Sequence, residues 1–211
     1  MAQPIGFDEG WQIVQGALTK LEKSILEGKP EPLFTSEEYM TVYHAIYLLC
    51  VQREGNNYYQ ALYDKYKQGF EDYLSSVVLP SLQGKQDAGH ESLLREFVKR
   101  WSDHKVMVRW KSWFFQYLDR YFAKRDGIPG VTEVGFNCFR DVVYSNVKGK
   151  VQDAVCFLID QERKGEREID GALIDDVADV LAEIGRGRMN LYENEPKSVE
   201  RVRQALSSVA F

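Results

Sequence analysis

Residues 35–50 read Thr35-Ser36-Glu37-Glu38-Tyr39-Met40-Thr41-Val42-Tyr43-His44-Ala45-Ile46-Tyr47-Leu48-Leu49-Cys50. Thr35 followed three residues later by Glu38 is a capping box, in which each side chain satisfies a backbone N–H left open at a helix start. Two apolar stripes follow rather than one. Val42, Ile46 and Leu49 form the first; Tyr39, Tyr43 and Tyr47 form the second. A bundle helix needs one buried stripe, so this stretch predicts a helix with a face to spare.

The helical period continues on both sides. Upstream, Phe7, Trp11, Val14, Leu18, Leu21 and Ile25 alternate spacings of four and three, Asp8 and Glu9 occupy the first turn, and Gly28 stops the helix ahead of Pro30 and Pro32. Downstream, Gly55-Asn56-Asn57 ends the second helix. A third helix is expected from about Tyr58 to Val78, buried through Tyr59, Leu62, Tyr66, Tyr73 and Val77 with Phe70 beside that face, and with Pro80 kinking or ending it. After the polar break Gly84–Gly89, a fourth helix carries Leu93, Leu94, Phe97, Val98 and Trp101. A fifth, roughly Lys105–Arg125, has Trp110, Trp113, Phe114, Phe115, Tyr117, Tyr121 and Phe122 around its circumference, and His104 falls in the joint before it.

Past Asp126–Gly130, Val134, Val142, Val147, Val151, Val155 and Leu158 mark a long helical segment to Gly165, with Gly149 as a bend. Asp170 is a natural N-cap for a helix carrying Leu173, Val177, Val180 and Ile184. Ser198 is expected to cap a last short helix through Val202 and Leu206. No alternating strand pattern bounded by turns appears, so the fold class is all-α, with short connections that make successive helices antiparallel neighbours. Val14-Gln15-Gly16-Ala17-Leu18 is echoed by Val151-Gln152-Asp153-Ala154-Val155, each opening a helix, charged loop and helix, which suggests a long helical repeat.

Composition narrows the function classes. The 211 residues are 44% apolar and 28% charged with a net charge of -5, the balance of a folded acidic domain and not of a nucleic-acid or anionic-membrane binder. No apolar run approaches the ~18–20 residues of a membrane span, and the first residues do not read as a secretion leader. Three cysteines, Cys50, Cys138 and Cys156, have no C-x-x-C spacing and read as reduced, buried thiols of a cytoplasmic or nuclear protein. Three histidines make a His-rich metal site implausible, and neither metal nor cofactor is expected.

The sequence holds no phosphate-binding glycine loop, no H-E-x-x-H and no G-x-S-x-G. Asp175 and Asp176 read as a solvated helix face, and His44 has no second ligand at helical spacing. Lys99, Arg100, Lys105, Arg109, Lys111, Arg120, Lys124 and Arg125 interleave with aromatics, but on an acidic chain they read as solvated helix edges rather than a nucleic-acid stripe. The informative feature is the aromatic content of 13%, concentrated on the second and fifth helices. Either both faces of these helices are buried in the chain's own bundle, or the surplus rings anchor a partner, since Tyr and Trp give large contact area at low entropic cost.

Gly10-Trp11, Tyr39-Met40-x-x-Tyr43, Leu62-Tyr63-Asp64-Lys65-Tyr66, Trp101-Ser102-Asp103-His104-Lys105-Val106-Met107-Val108-Arg109-Trp110, Tyr117-Leu118-Asp119-Arg120-Tyr121 and Phe139-Arg140-Asp141 together resemble the N-terminal region of cullins, most closely the plant cullins of SCF ubiquitin ligases. The resemblance runs from about Phe7 to Gly185. It implies a stalk of five-helix cullin repeats: residues 1–128 as the first repeat, 129–185 as the opening helices of a second, and 186–211 as a divergent tail. It also implies that the second and fifth helices bind the BTB-fold adaptor that carries F-box receptors, through Tyr39, Met40, Tyr43 and Tyr47 on one and Trp110, Phe114, Tyr117 and Tyr121 on the other.

The family's C-terminal domain, which holds the RING subunit and the modifier-accepting lysine, has no counterpart in these residues. The expectation is therefore a non-catalytic scaffold module, without ligase activity alone, that competes with full-length cullin. The alternative is a degenerate, partly folded helical product without a specific partner. Because the second repeat is incomplete, the face Leu173, Val177, Val180 and Ile184 is expected to be poorly covered, and the region after about residue 130 less stable than the first repeat.

Overall fold

The computed structural model describes residues 5–51, 58–86, 88–165 and 170–186. Among them every regular element is helical and none is a strand. The break at Gly55-Asn56-Asn57 and the helix expected from Ser198 lie outside the described residues.

Helix α1, Phe7–Leu26, begins with Asp8 and Glu9 in its first turn. It ends at Gly28, whose φ of +64° is the left-handed conformation that suits glycine, with the Lys29 N–H returning to the Ser24 carbonyl. Helix α2, Ser36–Cys50, starts on the expected capping box: Glu38 N–H donates to Thr35 Oγ1 at 3.2 Å and Thr35 N–H to Glu38 Oε2 at 2.9 Å. The two helices pack closely because Gly10 has no side chain; a Cβ there would stand 2.9 Å from the Leu49 side chain.

The third helical rod corrects the sequence reading. Helix α3, Tyr59–Tyr73, passes through a π-helical stretch, Leu74–Val78, into α4, Leu79–Gln86, so the chain neither stops nor breaks at Pro80. A proline cannot donate to the carbonyl one turn back, and the widened turn ahead of it relieves that conflict. Ser75 and Ser76 donate to the Glu71 and Asp72 carbonyls there. The extra residue per turn also moves the buried stripe, so Leu74 and Val78 are interior while Val77 is only half-buried.

The expected fourth helix and the first half of the fifth are one helix, α5, His90–Phe114. His104 is therefore inside a helix, not in a joint. At Phe115 the chain turns out of helical geometry and resumes as α6, Gln116–Leu118, a π-helical stretch Asp119–Ala123, and α7, Lys124–Asp126. Counted as continuous rods, the described part of 1–128 still has five helices, but the fifth is the short Gln116–Asp126. Helix α8, Val131–Cys138, continues through a π-helical stretch, Phe139–Tyr144, into α9, Ser145–Arg163, which includes Gly149, so the long helical segment expected to Gly165 is present. Helix α10, Gly171–Arg186, is capped as expected, with Ala172 N–H on Asp170 Oδ1 at 3.2 Å.

In space the chain forms two compact units. One comprises the described residues up to Gly69 with Asp103–Gly135, and the other comprises the described residues of Phe70–Ser102 with those from Phe136 onward. These units cut across helices, whereas the blocks 1–128 and 129–185 follow helix order along the chain.

In the first unit, Leu21, Ile46, Leu49, Leu62, Tyr66, Phe114 and Phe115 form the core. Tyr63 and Tyr66 each donate through the phenol to a loop carbonyl, Pro129 at 2.8 Å and Val131 at 2.7 Å. Asp119 caps α8 by accepting from Val131 N–H at 2.9 Å, and Gly130 leaves room for it, since a Cβ there would meet the carboxylate at 2.6 Å. These contacts give a physical reason for two of the sequence motifs. The same core holds charge: the Lys111 side chain is 1% exposed, 3.7 Å from Glu22, whose carboxyl is pushed up by burial and partly pulled back by the ammonium.

In the second unit, Trp101 packs on Phe139 with ring centroids 4.8 Å apart and donates its indole N–H to Glu183 of α10 at 2.5 Å. Arg95 bridges Glu91 and Asp170. The stripe Leu173, Val177, Val180 and Ile184 is no more than 5% exposed. The expectation that this face lies open is thus not met. Cys50 and Cys138 are buried as expected, but Cys156 is exposed. Among the described residues, no helix is long and apolar enough to cross a membrane.

Candidate docking surface

The two stripes of α2 have different fates, both within the first unit. Val42, Ile46 and Leu49 are buried. Tyr39, Tyr43 and Tyr47 are half-buried. Tyr39 stacks on Tyr43 with centroids 6.2 Å apart and on Phe114 at 6.0 Å. Tyr47 meets Tyr117 edge-on at 5.3 Å, and Tyr117 meets Tyr121 at 4.4 Å. The α2 tyrosines thus belong to two ring clusters one helical turn apart, Tyr39 and Tyr43 with Phe114, and Tyr47 with Tyr117 and Tyr121 of the short fifth helix.

The polar atoms of this surface are held in place. The Tyr39 phenol accepts from Gln116 Nε2 at 2.6 Å and points its O–H at the Trp113 carbonyl 3.4 Å away. Burial raises the Tyr39 phenol above its usual range, the Gln116 bond opposing, and burial beside Tyr59 pushes Tyr117 up to about 12. Both rings are neutral at physiological pH. The surface offers apolar area and hydrogen bonds, not a nucleophile or a titrating base.

The fate of the eight sequence-chosen residues splits at Phe115. Met40 and Tyr121 are exposed, at 53% and 54%. Tyr39, Tyr43, Tyr47 and Tyr117 are half-buried. Phe114 is fully buried and Trp110 is 6% exposed: α5 turns them inward, against Phe34 at 5.1 and 5.0 Å, with Trp110 still lining the groove beside Trp113. Trp110 is further fixed by donating to Glu31 at 2.9 Å, and Arg109 pairs with the same carboxylate.

Trp113 takes the outward place, 43% exposed, with its ring 5.1 Å from Trp110 and under the Arg109 guanidinium. Sequence reasoning named Trp113 among the rings of the fifth helix but did not select it. Period alone could not separate it from Trp110, three residues away on the same helical side. With Phe34, Tyr39 and Met40 it lines an open groove of about 640 Å³.

The remaining candidates for chemistry are occupied elsewhere. His104 Nε2 donates to the Gly135 carbonyl at 2.9 Å, and complete burial, reinforced by Lys111, pushes its pKa down to about 3. His44 is exposed on α2, stacked near Tyr47. Of the basic run, Arg100 pairs with Glu96, Arg109 with Glu31 and Arg125 with Asp126, and Lys111 is interior. Among the described residues, no group of three or more His, Cys, Asp or Glu side chains is arranged to hold a metal ion.

Comparison with known proteins supplies the relationship. The chain is 56% identical over 191 residues to Cullin-1 of Oryza sativa subsp. japonica, covering 90% of this chain and 25% of that protein. It is 46% identical over 202 residues to Putative cullin-like protein 2 of Arabidopsis thaliana, covering 94% of this chain and 52% of the relative. It is 41% identical over 191 residues to Cullin-like protein 3 of the same plant, covering 90% and 71%. The chain thus spans a quarter to about half the length of the first two. The cullin alpha solenoid domain matches residues 11–205, past the point near Gly185 where the motifs quoted from the sequence end. A helical chain matched over nearly its whole length by that domain, and by relatives at these identities, belongs to the cullin family.

Proposed function

We propose that this chain is a non-catalytic scaffold module of a ubiquitin ligase system that docks the BTB-fold adaptor of SCF ligases and, through it, F-box proteins. Residues 1–128 serve as the first cullin repeat and 129–185 as the opening helices of a second, in a cytoplasmic and nuclear protein. One observation carries the reading. Tyr39, Tyr43 and Tyr47 stay half-buried on α2, Tyr47 clusters with Tyr117 and Tyr121, and Met40 and Trp113 are exposed. Buried aromatic anchors with a partly open face are the residues from which interface energy mostly comes. Phe114 supports this surface from behind, and Trp110, largely buried, lines the groove beside Trp113.

Calorimetry of the 211-residue chain with a purified BTB-fold adaptor tests the proposal. Saturable binding, lost in a folded Tyr43→Ala variant, is the expected result. Unchanged affinity in that variant overturns the assignment of the surface, and no binding by the folded wild type overturns the docking function. A chain that binds adaptor in this way competes with intact cullin, so it should displace labelled full-length cullin from the adaptor in proportion to its concentration.

A further inference from the structure

We infer that the partner segment docking on this surface is acidic and carries a large apolar side chain: its carboxylates lie against Arg120 and Lys124, and its apolar group enters the groove between Met40 and Trp113. The inference rests on the docking reading above and adds the chemistry of the segment.

The argument starts from the cations around the surface. Arg109 pairs with Glu31, Lys20 with Glu38, and Arg125 with Asp126 while lying over the Tyr59 and Phe122 rings. Lys111 is interior beside Glu22. Arg120 and Lys124 differ. Both are exposed, they stand four residues apart on the fifth rod, and neither has a carboxylate within pairing distance among the described residues. The nearby acids are already used: Asp119 caps α8 and Asp126 holds Arg125. On a chain of net charge -5, two unpartnered cations beside open aromatic rings reverse the prevailing field at that spot.

The cations and the groove share a residue. Arg120 is close enough to Tyr39 to favour its ionised form, and Tyr39 lines the groove with Met40 and Trp113. Met40 and Trp113 are 53% and 43% exposed, apolar area that gains most when a partner's side chain excludes water from it. An apolar depression with Arg120 beside one of its lining rings, and Lys124 four residues further along the same rod, fits an acidic amphipathic protein segment. It does not fit a nucleic acid, which is tracked by roughly 6–10 phosphate contacts in a typical complex. Only two members of the basic run are available at this surface.

Rim charges act mainly on association rate and its salt dependence. Stopped-flow association of the chain with a purified BTB-fold adaptor, at low and high ionic strength, therefore tests the inference. Wild type should associate faster at low salt. The Arg120→Glu/Lys124→Glu variant should associate about tenfold more slowly at low salt and lose most of the salt dependence. The neutral pair Arg120→Gln/Lys124→Gln should fall between, and Met40→Ala should speed dissociation instead. Both cations are exposed, so unchanged thermal unfolding shows that the variants are folded. Association by wild type that ignores salt, or charge-reversed variants that associate like wild type, overturn the acidic segment while leaving docking intact. No wild-type binding at all overturns the docking reading and this inference together.

Discussion

The two compact units treat polarity in opposite ways. Among the described residues, the three buried polar or charged side chains, Ser24, His104 and Lys111, all belong to the first unit. So do five of the six exposed large apolar ones, Ile13, Leu26, Met40, Trp113 and Tyr121; the sixth, Phe157, belongs to the second. The second unit follows the usual rule, as α10 buries every apolar residue of its stripe. The first departs from it in both directions. Local departures from the expected pattern concentrate where function is placed, so the comparison supports the first unit as the place of the proposed docking surface.

The largest expected effect tests whether Phe114 belongs to the core or to the surface. Phe114→Ala should destabilise by about 3–5 kcal/mol in chemical denaturation, the usual cost of emptying a buried aromatic site. A cost near zero would return Phe114 to the contact surface. In the second unit, Leu181→Ala, at a fully buried position of α10, should cost about 2–5 kcal/mol. A negligible cost would mean that α10 is loosely seated after all.

Tyr43→Ala separates the units by a different measure. It should weaken adaptor binding by about 2 kcal/mol or more while the fold is kept, whereas Leu181→Ala should leave affinity unchanged in the folded protein.

His104 makes the first unit acid-sensitive. Its folded pKa, about 3, lies below the ordinary 6.5, so the unfolded chain binds the extra proton first. The contribution is fully present above pH 6.5 and is lost as pH falls towards 3, at about 1.4 kcal/mol per pH unit. Denaturation of wild type and His104→Gln across that window should show a shallower decline in the variant. Parallel declines would remove His104 as the cause. The smallest effect is at the start of α2, where Thr35→Ala should cost about 1 kcal/mol through loss of the cap, read as a lowered unfolding midpoint.

Much of this was legible in the sequence, and the failures have specific causes. The cap at Thr35, the two stripes of α2 and the stop at Gly28 are local events, set by side chains within a turn of one another. The break before His104 was misread because Ser102-Asp103-His104-Lys105 looks like a polar joint. In the structure His104 is in the core, donating to Gly135, a residue 31 positions away. The helix end allowed for at Pro80 does not occur, because the widened turn ahead of the proline relieves the clash it makes in a regular α-helix. Trp110 and Trp113 were indistinguishable because helical period assigns residues to a side but does not say what covers that side.

The sequence by itself determined that the chain is helical, where most helices begin and end, and that the second and fifth helices hold more aromatic surface than one bundle face requires. Those properties follow from hydrophobic period and capping, which act over a few residues. Only the tertiary structure decided that Trp110 and Phe114 turn inward while Trp113, Met40 and Tyr121 remain outside, that Lys111 and His104 are interior, and that Arg120 and Lys124 have no carboxylate within pairing distance among the described residues. Burial and pairing depend on which distant residue arrives at each face, and residues far apart in sequence meet only when the chain is folded.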